Sequence, residues 1–228
     1  MLCDIESLPR MEPLVGFLIA VAGAFTGAWA AFKLQDAKQS KETIDGNIAA
    51  VNRALYTLFN LWNIQRQYQL EVIDPIRGAR DVWLNMIVTP PSSSYGLSKF
   101  QAEELSFLLQ TNHANVYADL LLEEQRFEIA MIQIEARATI ILNQVFPRMG
   151  AAQIQPGQPV VESDLEKLLG VDVVHKLKQM SSNIITHIDE NTDSIREVHD
   201  RLRSAAKEMY PKKKIISIGF DEPKEGAT

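Results

Sequence analysis

The feature that most constrains this chain is an uncharged apolar stretch near its beginning, PLVGFLIAVAGAFTGAWAAF, from Pro13 to Phe32. A helix rises about 1.5 Å per residue, so a helix over this stretch covers roughly the 30 Å of a bilayer's hydrocarbon core. The stretch therefore predicts a transmembrane helix at 13–32, preceded by a short N-terminal tail at 1–12.

Two other interpretations of this stretch are a cleaved signal peptide and a buried helix of a soluble domain. The small-x-small sequence at 28–30 favours a cleaved signal peptide, but the leader is acidic and Arg10 is its single basic side chain. Trp29 and Phe32 lie near one end, as in an interfacial aromatic belt, which opposes a buried helix of a soluble domain. We therefore expect an uncleaved anchor.

Basic residues lie mainly on the C-terminal side of the stretch. Lys33, Lys38 and Lys41 follow it, whereas Arg10 precedes it. Basic flanks favour the cytoplasmic side of a membrane. The asymmetry predicts a single-pass protein whose body faces the cytoplasm.

Small residues gather on one side of the predicted transmembrane helix, at Gly16, Ala20, Gly23, Gly27 and Ala31. Gly23 and Gly27 form a GxxxG pair, which allows two helix backbones to approach closely in lipid. This small-residue face predicts association with a second membrane helix. The alternative is the ordinary glycine and alanine content of a membrane span.

The composition excludes several classes of protein. The formal net charge of −6 opposes a general affinity for the nucleic acid backbone. Cys3 is the only cysteine, which excludes an intramolecular disulfide framework and a multi-thiolate metal site.

A helical body is predicted at 33–210, followed by a C-terminal tail at 211–228. Its helices cover about 34–88, 98–146 and 163–210, and the first contains a kink at 74–75 because a proline pushes the preceding residue out of the helical region. Capping boxes at Ser98–Gln101 and Ser163–Glu166 predict the starts of the second and third helices.

Apolar residues recur at alternating steps of three and four along all three helices. The clearest stripe is that of the third helix: Leu177, Ser181, Ile184, Ile188, Asn191, Ile195, Val198, Leu202, Ala205 and Met209. Asn112 and Asn115 are interpreted as buried seam asparagines that fix the register of the second helix. Similar helix lengths and short loops predict an all-α fold, an elongated antiparallel three-helix bundle with coiled-coil-like packing.

No residue set in the chain indicates a reaction. The sequence contains no GxxxxGK[ST] loop, no GxGxxG, no GxSxG and no Glu-x-x-His. His113 stands alone, and His175, His187 and His199 are spaced by twelve residues, which turns each about a third of a turn from the last. We therefore expect no catalytic, cofactor-binding or metal-binding residue, no cofactor and no small-molecule substrate. The tail segment from Lys212 to Phe220 is compatible with lipid contact or with partner docking.

The segment NRALYTLFNLWNIQRQYQ at 52–69, with the apolar stretch before it and IDPIR, SFLL and LLLEEQRF after it, resembles a group of uncharacterised bacterial proteins. Those proteins have one N-terminal transmembrane span and a helical cytoplasmic body. The resemblance implies a place in the bacterial inner membrane and adds no active residue.

Two functions remain after these exclusions. The first is a membrane-anchored helical interaction or scaffold protein without catalytic activity, which contacts the lipid bilayer and either a protein partner or a second copy. The long amphipathic helices favour it. The alternative is a subunit of an oligomeric membrane assembly, such as a pore, lysis factor or transporter accessory, and the small-residue face favours that one.

Overall fold

The computed structural model describes residues 12–79, 82–86, 99–154 and 160–220. Within its helices, the side chains at 12–16, 18–20, 82 and 85 lie outside the description. Every regular element among the described residues is helical, which confirms the all-α prediction. The chain divides into two compact units, Met1–Asn47 and Ile48–Thr228.

The first unit contains the beginning of α1, which spans Glu12–Tyr68. Six of the large apolar side chains described in this unit are exposed: Phe17, Val21, Phe25, Trp29, Phe32 and Leu34.

Among the described residues, no helix is both long enough and apolar enough to cross a membrane. The transmembrane helix predicted at 13–32 is therefore not supported by the structure. A helical window of membrane-spanning length that begins at Val21 already includes Lys33, Asp36 and Lys38. The side chains at 13–16 and 18–20, which belong to the predicted helix, lie outside the description.

The second unit contains the end of α1, whose burial begins at Ile48. The α-helical winding changes after Tyr68 to a π-helical turn, Gln69–Ile73, and then to a 3₁₀ turn, Asp74–Ile76. Pro75 has no N–H to donate, so regular α-helical hydrogen bonding stops near it. A short helix, α2, follows at Val82–Asn85.

The second predicted helix is divided into several elements. They are a 3₁₀ helix at Ala102–Gln110, α3 at Ala114–Ile140, a π-helical turn at Ile141–Val145 and α4 at Phe146–Ala151. Thr111 makes the first break, because its hydroxyl donates to the Leu108 carbonyl at 2.7 Å and accepts from the His113 N–H at 3.1 Å.

The predicted end of the second helix at 146, before Pro147, is wrong, whereas the predicted capping box at Ser98–Gln101 lies partly outside the described residues. Pro147 does not end the helix, since it occupies the first turn of α4, where a missing N–H costs no intrahelical hydrogen bond. Gln101 caps the 3₁₀ helix without a side-chain hydrogen bond, and Ser98 lies outside the described residues.

The third predicted helix forms two pieces, α5 at Glu162–Leu169 and α6 at Val171–Met209. Gly170 joins them with φ of +91°, a value that favours glycine. The capping box at Ser163 is absent, because Val161 occupies the N-cap position and no side chain caps the helix. The predicted stripe of α6 is buried at every position from Leu177 to Ala205, as expected.

Side-chain pairs fix the direction of α1 against α6 in the second unit. Gln69 donates to Asp189 at 2.6 Å, and the Arg196 guanidinium lies 5.9 Å from the Trp62 ring centroid. Residue numbers rise along one helix as they fall along the other. The two helices are therefore antiparallel.

The same argument applies to α3 and α6. Arg126 donates to Ser194 at 2.8 Å, and Arg137 donates to Ser181 at 2.9 Å. Since α1 and α3 are both antiparallel to α6, they run parallel to each other. The prediction that the first and second helices are antiparallel neighbours is therefore wrong.

Two described segments between α1 and α3 contact opposite ends of the second unit. Trp83 of α2 packs in one hydrophobic cluster with Ile141, close to the C-terminal end of α3. Further along the chain, Glu104 pairs with Arg53 of α1, which lies near the start of the buried part of that helix.

Candidate functional site

The residues after α6 form an ordered segment on the second unit, here called the C-terminal strap, residues 211–220. The chain turns after Tyr210, whose carbonyl accepts the Lys213 N–H at 3.0 Å. Ile215 is buried. The Ile216 N–H donates to Asn52 Oδ1 at 3.0 Å, and its carbonyl accepts from Arg203 Nε at 3.2 Å. Thus α1 and α6 each hold one peptide group of the strap.

Phe220 ends the described strap in an aromatic cluster. Its ring centroid lies 5.0 Å from Trp62, 4.7 Å from His199 and 5.9 Å from Phe59, and the first two contacts are edge-on. The Arg196 guanidinium lies 5.8 Å from the same ring. Edge-on aromatic pairs and a guanidinium over a ring are favourable contacts, each of about 0.5–1.5 kcal/mol.

His199 is the buried titratable group beneath the strap, and only 1% of its surface is exposed. Its Nδ1 lies 3.1 Å from Asp200 Oδ1, and its Nε2 has no hydrogen-bond partner among the described residues. Burial lowers the pKa of His199, and the Asp200 carboxylate opposes that shift. The packed state therefore favours a neutral imidazole.

Buried polar side chains from three helices lie at a similar level along the second unit. Gln65 is 0% exposed, Glu123 1% and Asn191 3%. The antiparallel pairing of α1 with α6 places Gln65 level with residues 192–194, and Ser194 donates to Glu123 Oε1 at 2.6 Å. We call Gln65, Glu123 and Asn191 the polar layer.

The polar layer is incompletely hydrogen-bonded within the described part of the chain. Neither amide atom of Gln65 has a partner, nor do Glu123 Oε2 and Asn191 Nδ2. Burial raises the pKa of the Glu123 carboxyl, although Ser194 and Arg126 both donate to it. An unpaired buried amide costs about 1–3 kcal/mol, so this layer lowers the stability of the core.

A charged cluster lies beyond the aromatic one. The guanidinium of Arg77 donates to both oxygens of Asp189, at 2.7 and 2.8 Å, and to Asp74 at 3.1 Å. The hydrogen bond from Arg77 holds the pKa of Asp189 below its usual range. These groups are partly exposed, and we interpret the cluster as a contact that holds the 3₁₀ turn at Asp74–Ile76 against α6.

Arg137 is a buried arginine that binds backbone carbonyls. It donates to the carbonyls of Trp83 at 2.8 Å and Met86 at 3.1 Å, and to the Ser181 hydroxyl. Burial lowers the pKa of Arg137 and raises that of Tyr68 to about 12. The side chain fixes α2 against α3 and α6.

The residues of the predicted small-residue face belong to the first unit. Ala31 is exposed, and a Cβ atom added at Gly23 or Gly27 would meet nothing within 4 Å. The side chains of residues 16 and 20 lie outside the description. Association through Gly16, Ala20, Gly23, Gly27 and Ala31 stays a prediction.

Other predicted polar positions occupy different places from those expected. Asn112 and Asn115 are exposed, so the seam asparagines predicted for the second helix are wrong. His113 Nε2 lies 3.5 Å from Glu208 Oε2 at the surface. Within the described ranges, no group of three or more His, Cys, Asp or Glu side chains is placed to hold a metal ion.

The sequence singled out the segment from Lys212 to Phe220 but not its packing on α1 and α6, and it did not indicate the polar layer. The signal for the strap was Ile215 and Phe220, two large apolar side chains after Pro211, together with Phe59 beside the stripe of α1. The surface formed by α1 and α6 can bind an extended peptide: it holds one N–H and one carbonyl of the peptide main chain and two apolar side chains of the peptide.

Comparisons with known proteins do not place the chain in a family. No family model matches it, and neither the curated proteins nor the solved structures contain a significant match.

Proposed function

We propose that this protein is a membrane-anchored helical interaction protein without catalytic activity, with its body in the cytoplasm and its anchor in the inner membrane. The observation that carries the proposal is the exposure of aromatic side chains in the first unit. Phe17, Phe25, Trp29 and Phe32 are 66–76% exposed on one helix.

The positions of these side chains favour lipid as their environment. At about 100° per residue, the four aromatic residues share one third of the helix circumference. Burial of apolar surface is worth about 25 cal/mol per Å², so leaving four large aromatic rings in water is unfavourable by several kcal/mol. The stretch 13–32 has no charged residue, and Lys33 follows it as a basic flank.

The second unit supplies the interaction surfaces in this proposal. Its core is formed by the apolar stripes of α1, α3 and α6, and its surface holds the strap and the charged cluster around Asp189. Such a bundle presents several helix faces and one peptide-binding surface, which suits a scaffold or adaptor.

Alkaline extraction tests the anchor. The full chain should remain in the membrane pellet, and protease added outside spheroplasts should leave the second unit intact. Replacing Phe25 and Trp29 with aspartate should move the chain to the supernatant, whereas the same change at the exposed Tyr56 should not. An extractable wild-type chain, or a product cleaved near Ala31, would reject the anchor.

The alternative function is a subunit of an oligomeric membrane assembly that acts through its anchor helix. The small-residue face of that helix favours this alternative, because Gly23 and Gly27 leave open space in which a second helix backbone can approach. Isoleucine at both positions should abolish cross-linking of the full chain in membranes, while isoleucine at Ala24 and Ala28 serves as the matched control. Release of dye from vesicles would favour this alternative over the scaffold.

A further inference from the structure

We propose that the outward face of α3 is the docking site for an amphipathic helix of a partner protein, a helix with lysine or arginine along one edge. This face, here called the outer stripe, consists of seven positions separated by alternating steps of four and three: Ala118, Leu122, Gln125, Ile129, Ile132, Ala136 and Thr139. The inference rests on the proposed interaction function and deepens it, because it names the class of partner.

The outer stripe is apolar and exposed, although α3 already buries its other side. Leu122 is 41% exposed, Ile129 42% and Ile132 64%. On the opposite side of the same helix, Leu120 and Phe127 are buried in the core. None of the seven positions carries a charged side chain. A row of exposed apolar side chains on one helix face is typical of a protein interaction site.

The spacing of the outer stripe indicates the shape of its partner. Its positions form two sets, and each set repeats every seven residues, as in a coiled-coil seam. At about 1.5 Å per residue, the stripe is about 30 Å long. A second α-helix matches this period along the whole length, whereas an extended chain, whose side chains alternate every two residues, does not.

Three carboxylates line one edge of the outer stripe. At about 100° per residue, Glu124, Glu128 and Glu135 lie within about 40° of each other around the helix. Lys99 donates to Glu128 at 2.8 Å, so this edge already binds one ammonium group. Three carboxylates against one ammonium leave the edge acidic. A partner helix with basic side chains on the facing edge is therefore complementary to it.

The opposite edge of the outer stripe contributes little charge. Arg126 donates to Glu123 at 2.8 Å, so its charge is met within α3. Gln133, seven residues later, is neutral. Asp119 pairs with Arg201 of α6 at 2.7 Å. The charge that selects a partner therefore lies on the glutamate edge.

The glutamate edge also argues against a membrane surface as the occupant. Helices that lie in the membrane interface carry lysine and arginine beside their apolar face, where these side chains meet anionic lipid. Glutamates at the same place are repelled by an anionic leaflet. The charges favour a basic protein helix over lipid.

A second copy of the chain fits the outer stripe less well than a basic helix. An antiparallel pair centred on Ile129 and Ile132 sets Glu128 of one copy against Glu135 of the other. A parallel pair sets both glutamates against uncharged side chains. Neither arrangement gives the glutamate edge a basic partner.

Fluorescence anisotropy with the full chain in maltoside detergent tests the inference, and detergent alone serves as the blank. The probe is a labelled four-heptad peptide with leucine at the a and d positions and lysine at e and g. Its matched form carries glutamate in place of lysine. We expect the lysine peptide to bind about tenfold more tightly, and the difference to shrink at high salt.

Two double variants test the glutamate edge. Glu128→Lys with Glu135→Lys should reverse the preference, so that the glutamate peptide binds more tightly. Glu190→Lys with Glu197→Lys is the matched control, because these exposed residues of α6 have the same spacing and the same change of charge. Equal effects of the two double variants, or an unchanged preference in the first, would overturn the inference.

One variant tests the apolar part of the outer stripe. Ile132→Glu should weaken the binding of both peptides by about tenfold, because a carboxylate would have to be buried against leucine. Ile132 is 64% exposed, so circular dichroism of this variant should match that of the wild type. Unchanged peptide binding would show that the peptides bind elsewhere and would reject the docking site.

The other occupants give different results. A dimer in sedimentation velocity that Ile132→Glu dissociates would assign the outer stripe to a second copy. With Cys3→Ser removing the native thiol, a fluorophore on Ile132→Cys that brominated lipid quenches in proteoliposomes would assign it to lipid. Either result would overturn the inference.

Alkaline extraction separates this inference from the proposed function. A chain that pellets with membranes but does not distinguish the two peptides rejects the helix partner and leaves the anchor standing. A chain that is extracted, yet binds the lysine peptide through the outer stripe, rejects the anchor and leaves the docking site standing.

Discussion

The two units of this chain use large apolar side chains in opposite ways. In the first unit, Phe25 is 76% exposed and Trp29 66% exposed. In the second unit, Leu55 and Leu58 have no exposed surface. All four residues belong to α1, so helix formation alone does not decide which apolar side chains are buried.

The arrangement of apolar positions explains the difference. From Ile48 to Trp62 they recur every three or four residues, with polar residues such as Arg53 between them, and a striped helix packs its apolar face against other helices. From Pro13 to Phe32 they surround the whole helix. A helix that is apolar on all sides suits a uniformly apolar environment, which a small bundle does not provide.

Truncation of one large side chain in each unit is the most direct way to break this comparison. Leu58→Ala should lower the free energy of unfolding by about 3–4 kcal/mol, because it leaves a cavity in a packed core. Phe25→Ala should change it by less than about 0.5 kcal/mol. Urea unfolding of the full chain in mild detergent, followed by circular dichroism, measures both. Equal losses would show that Phe25 is packed within the protein and would remove the distinction.

The period of the apolar residues predicted the buried face of α6 correctly, because a long stripe with the helical period lies on one side of the helix. Leu177, Ile184 and Leu202 are all fully buried. The direction of α1 relative to α3 was not predictable in this way. Apolar period fixes which face is buried and leaves the path of the connecting chain open.

Local hydrogen bonds and tertiary contacts account for the remaining differences. The break at Thr111 depends on its hydroxyl bonding to the backbone, a choice that a helical pattern does not reveal. The second helix was predicted to end at 146, but a π-helical turn precedes Pro147 and a new helix begins there. The polar layer and the strap depend on partners distant in sequence: Gln65 is buried by other helices, and Ile216 bonds to Asn52.

Arg137 tests whether a buried charge stabilises the second unit. Arg137→Ala should lower the free energy of unfolding by about 2–3 kcal/mol, because the carbonyls of Trp83 and Met86 lose their buried donor. Arg126→Ala serves as the matched control, since Arg126 lies on the same helix but is partly exposed. Equal effects of the two changes would mean that burial of the guanidinium adds nothing.

Replacement of Gln65 tests the polar layer, and here we expect stability to rise instead of fall. Gln65→Leu should raise the free energy of unfolding by about 1 kcal/mol, because a buried amide without described partners is replaced by an apolar side chain of similar size. The partly exposed Gln69, which donates to Asp189, is the control, and Gln69→Leu should be neutral or destabilising. A loss of stability in Gln65→Leu would show that the amide is hydrogen-bonded in solution and holds the register of the bundle.

The smallest expected effect concerns the pH dependence contributed by His199 beneath the strap. Its pKa is lowered by burial, and Asp200 raises it while Arg203 lowers it, so the folded state binds the proton less well than the unfolded state. The stability that depends on the neutral ring is complete above about pH 6.5, the ordinary histidine value, and is lost as the pH falls towards the folded pKa. Glu123 acts with the opposite sign: its pKa is raised in the folded state, so acidification increases the free energy of unfolding.

The difference in stability between wild type and His199→Gln separates the effect of the histidine from that of Glu123. We expect this difference in the free energy of unfolding to shrink between pH 7 and pH 5, with a shift of tryptophan emission to longer wavelength as Phe220 leaves Trp62 and the indole meets water. Parallel pH curves for the two proteins would show that His199 takes up its proton with the strap in place.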